Sequence, residues 1–400
     1  MRYSTFNIAL VLGLVTAIGP LAIDMYLPAL PSIGNALQAE PHLVQLSLTL
    51  FAIGMGLGQI FFGSLSDLIG RKRPLYVGIL IFIVCSVGCA LTANIDAFLL
   101  FRLLAGFGAS AGIVIARAVV RDIATGAEAA KLMTLVMLVF SVSPLFAPPV
   151  GNLLTELYGW RVIFWTTGAL GILGIILVKG LLTETNPGGK VTIKRVHSMM
   201  KSYQTLFRDR SFNTCLVATC AGIASFFTFI TTSPFVFIEK FHFTPSQYSL
   251  FFPLVAASYI GATQVMGKVA AKVGLDKVLY LSAIAFATLS TAGGLLTLLI
   301  DLPFAGQIAF LIVTFASLGF LIPSATILAM KPHGTIAGAC SAAIGMMQFL
   351  FAGVFVSSLS ALPITPHQIM FIGIMLAGVV TCTVVVINRR HLDTESTLFK

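Results

Sequence analysis

Apolar stretches of about 20 residues recur along the whole chain, each long enough to cross the hydrocarbon core of a bilayer as one helix. Twelve are read, at approximately 6–30, 43–64, 75–93, 98–120, 132–156, 162–182, 212–238, 247–270, 277–299, 306–329, 335–359 and 367–387. In lipid every backbone N–H and C=O must be satisfied within the protein, and a chain patterned this way meets that demand with helices. Composition agrees. Hydrophobic residues make up 58% of the 400 and charged residues 10%, against about 25% charged in a soluble domain. The first stretch is read as a span and not as a secretory signal. It is too long, lacks a small-residue cleavage pattern, and carries Asp24 between Pro20 and Pro28.

The net charge of +10 raises the question of nucleic acid, and its distribution answers it. With both termini placed in the cytoplasm, twenty of the 24 Lys and Arg residues fall in connections on the cytoplasmic side. Two, Arg161 and Lys240, fall on the other side, and Arg102 and Arg117 lie inside the fourth span. That asymmetry is the positive-inside pattern of a multi-pass membrane protein, and an inner (plasma) membrane location is expected. The basic residues report topology and contact with anionic lipid, and no nucleic-acid partner is expected.

The longest polar stretch, 183–211, divides the chain into an N-terminal six-helix bundle (1–182) and a C-terminal one (212–400). An internal echo supports the division. Gly63 and Gly70 bracket the loop after span two, and Gly267 and Gly274 bracket the loop after span eight. Gln45-Leu-Ser-Leu48 likewise resembles Gln247-Tyr-Ser-Leu250. The expected fold is therefore all-α and integral to the membrane, with twelve transmembrane helices in two six-helix pseudo-repeats. Repeats of this kind mark transporters that bind substrate between their halves.

Asp24 is the one carboxylate well inside a span, about six residues from the outer end. A charged Asp at a helix centre costs about 2.5–3.5 kcal/mol, so it persists where it has a partner or a task. Arg102, about five residues inside the outer end of span four, lies at similar depth. Burial favours the neutral acid and a nearby arginine favours the carboxylate, so a modest change of surroundings switches protonation. Asp24 is thus the candidate proton carrier, with Arg102 holding it charged in one state; a structural ion pair is the alternative. Pro28 and Pro20 leave the carbonyls of Asp24 and Thr16 without helical N–H partners. Broken hydrogen bonding at membrane depth suits a cavity wall, which places Met25, Tyr26 and Pro28 beside a substrate cavity. Pro234 holds a similar place in span seven.

Other features set bounds. Arg117, Arg121 and Asp67 should gather at the cytoplasmic ends of their helices as an ion-pair cluster. Small residues four apart (Gly54 and Gly58, Gly106 and Ser110, Gly108 and Gly112) predict close helix packing. Gln59, Asn213, Gln264 and Gln348 either line a cavity or bond between helices. The six cysteines all sit in apolar runs with no in-span His partner, so neither disulfides nor a metal site is expected. All six histidines are read as lying in loops or tails, against a buried His site. No phosphate-binding loop is found, so ATP coupling within this chain is not expected, nor any catalytic activity.

Gly63-Ser-Leu-Ser-Asp67-Leu-Ile-Gly70-Arg71-Lys72-Arg73-Pro74 resembles the loop signature of the major facilitator superfamily. Arg102-Leu-Leu-Ala-Gly106-Phe-Gly108 resembles the fourth-span motif of its proton-coupled members. Asp24-Met-Tyr-Leu-Pro28-Ala-Leu-Pro31, Arg117-Ala-Val-Val-Arg121-Asp122 and Gly159-Trp160-Arg161 resemble the bicyclomycin/chloramphenicol-resistance (Bcr/CflA) group of drug:proton antiporters. The resemblance is dense over 20–187 and thin afterwards. It implies export of small antibacterials driven by a proton gradient, without a cofactor, by a chain expected to act as a monomer. It also implies a cytoplasmic gate in which Asp67 pairs with Arg121 or Arg117, with Gly70 and Arg71 shaping the loop. The fifth-span antiporter motif, Gly-Pro-x-x-Gly-Gly in the family, reads Ala147-Pro148-Pro149-Val150-Gly151-Asn152 here. Pro148, Pro149 and Gly151 remain where two small positions change. Transport of one specific metabolite stays open as an alternative, and a non-transporting receptor is disfavoured by the buried acid and the repeats.

Overall fold

The computed structural model describes residues 5–388 except 125, 187, 189–192 and 301. Twelve helices are long and apolar enough to cross a membrane. The first crossing is divided into α1 (Thr5–Asp24), a 3-10 turn (Leu27–Ala29) and α2 (Leu30–Leu37). It is followed by α3 (Pro41–Ile69), α4 (Lys72–Leu91), α5 (Ile95–Ile123), α6 (Gly126–Tyr158) and α7 (Arg161–Leu181). After α8 (Ile193–Arg208) come α9 (Arg210–Phe235), α10 (Pro245–Val273), α11 (Leu275–Ile300), α12 (Phe304–Met330), α13 (Ala337–Ser360) and α14 (Pro366–Ile387).

Helix ends follow from local chemistry. The Asn94 side chain accepts hydrogen bonds from the N–H groups of Asp96 and Ala97 and starts α5. Thr365 and Gln368 form a reciprocal capping box at the start of α14. Gly70 (φ 98°) ends α3 and Gly274 (φ 92°) follows the end of α10. These are the second glycines of the two echoed pairs, and both adopt a backbone that a side chain disfavours. The echo is therefore one of conformation as well as of letters.

The chain forms two compact units, residues 1–195 with 244–250, and 196–243 with 251–400. In the first, α5 packs against α3 and α4, α1 against α6, and α4 against α7. In the second, α9 packs against α12, α13 and α14, while α11 packs against α12 and α14. Within unit one the small residues do what the pattern predicts. A Cβ on Gly54 would overlap the Leu103 carbonyl, one on Gly106 the Phe51 carbonyl, and one on Gly112 the Val15 carbonyl. Close backbone approach of this kind substitutes packing for a hydrophobic drive that lipid does not supply.

The polar stretch 183–211 is more structured than a plain linker. Its centre carries α8, and its start is docked on unit one. The Glu184 carboxylate accepts from the backbone N–H groups of Arg71 (2.7 Å) and Lys72 (3.0 Å), and the Leu182 carbonyl accepts from Lys72 Nζ (2.7 Å). The first N–H groups of α4 have no partners inside the helix, and a carboxylate there is favoured by charge as well.

Replacing Gly106 by Val should force α3 and α5 apart and cost about 1–3 kcal/mol, read as a lower unfolding temperature of the detergent-purified protein. Gly180→Ala, which meets open space, should stay within about 0.5 kcal/mol of the parent.

Candidate functional site

The break in the first span comes at Asp24, four residues before Pro28. Pro20 is carried inside α1 without interrupting it, so of the two prolines only Pro28 coincides with a break. Asp24 is 4% exposed and Oδ2 accepts a hydrogen bond from Ser143 Oγ on α6 at 2.9 Å. Among the described residues this is its one side-chain hydrogen bond.

Arg102 of α5 is 1% exposed and does not pair with Asp24. Nη1 donates to the Ala22 carbonyl at 3.3 Å, and the guanidinium lies 4.3 Å from the Phe51 ring centroid and 4.6 Å from that of Tyr26. Its Nε and Nη2 are buried with no hydrogen-bond partner among the described residues. The expected pair fails for a geometric reason. Ala22 and Tyr26 are four apart and share one face of the segment, whereas Asp24 lies about 200° round from Ala22. Arg102 meets the first face, and the acid turns to α6. Matching depth was correct but matching azimuth was not.

Tyr26 is fully buried. Its hydroxyl is 2.6 Å from Ser47 Oγ, and Ser47 in turn donates to the Val44 carbonyl, so Tyr26 O–H is the donor. Its ring packs against Phe98 and Phe164, with Trp160 beyond. Met25 and Pro28 are buried as well. In this conformation the three residues expected to line a cavity are packed inside unit one. A cation held over aromatic faces away from water gains about 2 kcal/mol or more, which partly offsets the unfilled donors of Arg102.

α6 reaches the break a second time through the antiporter motif. A Cβ on Gly151 would overlap the Met25 carbonyl, so α6 lies directly on the interrupted backbone. Pro144, Pro148 and Pro149 sit inside the same helix. Asn152, at a position where the motif favours glycine, donates to Glu156 Oε1 and to Ser246 Oγ (3.0 Å each). Ser246 donates to the same Glu156 oxygen at 2.5 Å.

The second cluster surrounds Arg71. Its Nε and Nη2 donate to the two oxygens of Asp122 (2.7 and 3.1 Å), and Nη1 donates to Asp67 Oδ1 (2.5 Å) and Ser66 Oγ (3.0 Å). Burial works against the charge of Arg71, but the carboxylates of Asp122 and Asp67 outweigh it and raise its proton affinity above the ordinary arginine range. Asp67 was expected to pair with Arg117 or Arg121. Among the described residues its ion pair is instead with Arg71, four residues on, while Arg121 is exposed and Arg117 is half-buried on α5. Arg117 and Arg121 share a helix face, and Asp122 lies about 100° round from Arg121, which turns it toward the loop. Asp122 was in the motif string but without a role.

Two further corrections concern buried polar groups. His367 was read as a loop residue. It lies in the first turn of α14, 9% exposed, with Nε2 at 3.1 Å from Oε1 of the fully buried Gln307. The capping box at Thr365 starts the helix before it. Gln59 is 1% exposed and neither amide atom has a hydrogen-bond partner among the described residues, whereas Asn213 donates to the Phe207 carbonyl. Ser143 and Asp122 are the residues sequence reasoning missed. Nothing distinguishes a lone Ser or a terminal Asp until the helices are placed.

Residues 12–356 match the profile of the Major Facilitator Superfamily. The chain belongs to that superfamily. This member is 34% identical over 349 residues to "Uncharacterized MFS-type transporter YdgK" of Bacillus subtilis, covering 87% of each chain. It is 29% identical to "Bicyclomycin resistance protein homolog" of Haemophilus influenzae (90% of this chain, 89% of the relative). It is 31% identical to "Chloramphenicol resistance protein" of Pseudomonas aeruginosa (91% and 85%). Among solved structures, "Crystal structure of D-xylose-proton symporter" superposes with TM-score 0.75 at 16% identity, covering 94% of this chain and 97% of that one. The superfamily fold is that of a transporter, and this chain is a multi-pass membrane protein of that fold.

Truncating Arg71 to Ala should leave Asp122 and Asp67 facing each other without a cation and cost about 1.5–3 kcal/mol, measured by thermal unfolding in detergent. Arg71→Lys should recover only part of the loss, since a lysine cannot span Asp122 with two parallel N–H bonds.

Proposed function

We propose that this chain exports small, lipophilic antibacterial compounds in exchange for protons, by alternating access. The observation that carries the reading is a buried acid at a helix break inside a membrane span. Relatives named for bicyclomycin and chloramphenicol resistance supply the substrate class. Asp24 is the proton carrier. In hydrocarbon its charge is costly, and one hydrogen bond compensates only part of that cost, so the charged and neutral acid favour different surroundings. A proton and a substrate that each favour the opposite arrangement of the break exclude one another, which is the requirement of exchange. The proton gradient supplies the energy and no cofactor is needed.

Arg102 keeps a fixed positive charge beside the break without neutralising the acid. Met25, Tyr26 and Pro28 are the residues that a rearrangement of the break brings to a substrate. Asp67, Gly70, Arg71 and Asp122, with Arg117 and Arg121 on the neighbouring helix end, form the cytoplasmic gate. Pro148, Pro149 and Gly151 let α6 lie on the break. Both termini are cytoplasmic in an inner membrane, by the distribution of Lys and Arg, and the unit of function is the monomer.

Expression in a pump-deficient host should raise the inhibitory concentration of lipophilic antibacterials, and Asp24→Asn should lose that protection while accumulating normally. In proteoliposomes the same variant should lose transport driven by a pH gradient. Undiminished gradient-driven transport by Asp24→Asn would sink the proton assignment, and protection against no compound would favour transport of one metabolite.

A further inference from the structure

We propose that Ser143 is the positioning residue through which the charge of Asp24 acts on α6, so that α6 and not Arg102 sets proton uptake at the break. The inference rests on the reading of Asp24 as the proton carrier. Ser143 is 4% exposed, and its hydroxyl donates to the carboxylate at 2.9 Å. A donor to the carboxylate favours the charged form, and a hydrogen bond to a charged partner is stronger than one to a neutral one. The bond therefore weakens when Asp24 takes a proton.

The groups around the break leave this role to Ser143. From α5, Arg102 spends its one hydrogen bond on the Ala22 carbonyl. On the break itself, the Tyr26 hydroxyl is spent on Ser47. From α4 the titratable group near Arg102 is Cys89, a buried free thiol. On α6 no titratable residue lies between Lys131 and Glu156, on α7 none between Arg161 and Lys179, and on α3 none between His42 and Asp67.

What makes the bond consequential is the helix that carries it. α6 touches the interrupted segment at Ser143, through the Asp24 carboxylate, and at Gly151, through the Met25 carbonyl. Between those two anchors lie Pro144, Pro148 and Pro149. Each proline removes the N–H that would have bonded the carbonyl four residues earlier, so α6 lacks three internal hydrogen bonds at and just before this stretch. Weakening of the Ser143 bond on protonation loosens one anchor next to the part of α6 best able to bend.

The test uses the full chain in proteoliposomes with ethidium as the transported probe, its rate followed as pH is varied. Wild type, Ser143→Ala, Ser143→Thr and Asp24→Asn are compared. Without the Ser143 donor the neutral acid is favoured, so protonation persists to higher pH. The midpoint of the pH profile should therefore move up by about one unit in Ser143→Ala, a tenfold change in proton concentration. Ser143→Thr keeps a hydroxyl and should restore the wild-type midpoint. A midpoint unmoved in Ser143→Ala, or moved as far by Thr as by Ala, overturns the proposal. Should Ser143→Ala fail to accumulate, Ser143→Cys keeps the volume with a weak donor and must show the same upward shift. If Asp24→Asn retains the wild-type pH profile, it is the underlying reading of Asp24 that fails.

Discussion

A helix that stops inside a membrane must hand its unfilled backbone groups to something other than water, and the first unit is organised around that requirement. α1 ends at Asp24, and the next regular helix starts at Leu30. Around the gap, Arg102 takes the Ala22 carbonyl, Gly151 brings α6 onto the Met25 carbonyl, and Tyr26 fills the space between Arg102, Phe98 and Phe164. Non-helical backbone at this depth is tolerated only where protein or a watery cavity covers it. Here protein covers it, from α3, α5, α6 and α7 at once. The break and its cover cannot be understood apart.

The crossing helices and the echo between the halves were legible because they depend on quantities a sequence states directly, namely run length, residue size and spacing. The positive-φ turns at Gly70 and Gly274 are the same kind of signal. Depth was legible too, since it is a count of residues from a helix end. Azimuth was not. Asp24 and Arg102 were assigned to each other because they share a level, yet the residues that meet Arg102 lie two positions to either side of the acid. The same error displaced Asp67 toward Arg117 and Arg121, when one position further along, at Asp122, the helix turns to the loop. Which side of a helix faces which neighbour is decided by several helices together, and no single periodicity records it.

Single polar residues were the other blind spot. Ser143, His367 and Gln59 look ordinary as letters, since a serine in an apolar run is common and a histidine near a proline suggests a loop. Each acquires meaning only from what stands opposite it: a carboxylate for Ser143, a buried amide for His367, and nothing for Gln59. A buried amide without partners costs about 1–3 kcal/mol, so Gln59 is the polar group whose burial the described residues of this state compensate least.

The two charge clusters differ in how water reaches them. Asp24 and Arg102 are almost wholly enclosed, whereas the Asp67 side chain beside Arg71 remains 48% exposed. Dissolved ions screen a charge only where they can approach it, over roughly 8 Å at physiological strength. Raising the salt concentration therefore reaches the Asp67–Arg71 contact first, leaves the more enclosed Arg71–Asp122 pair largely intact, and hardly touches Asp24. Ionic strength thus acts at the edge of the loop that follows α3, while the enclosed Asp24 and Arg102 are shielded from it.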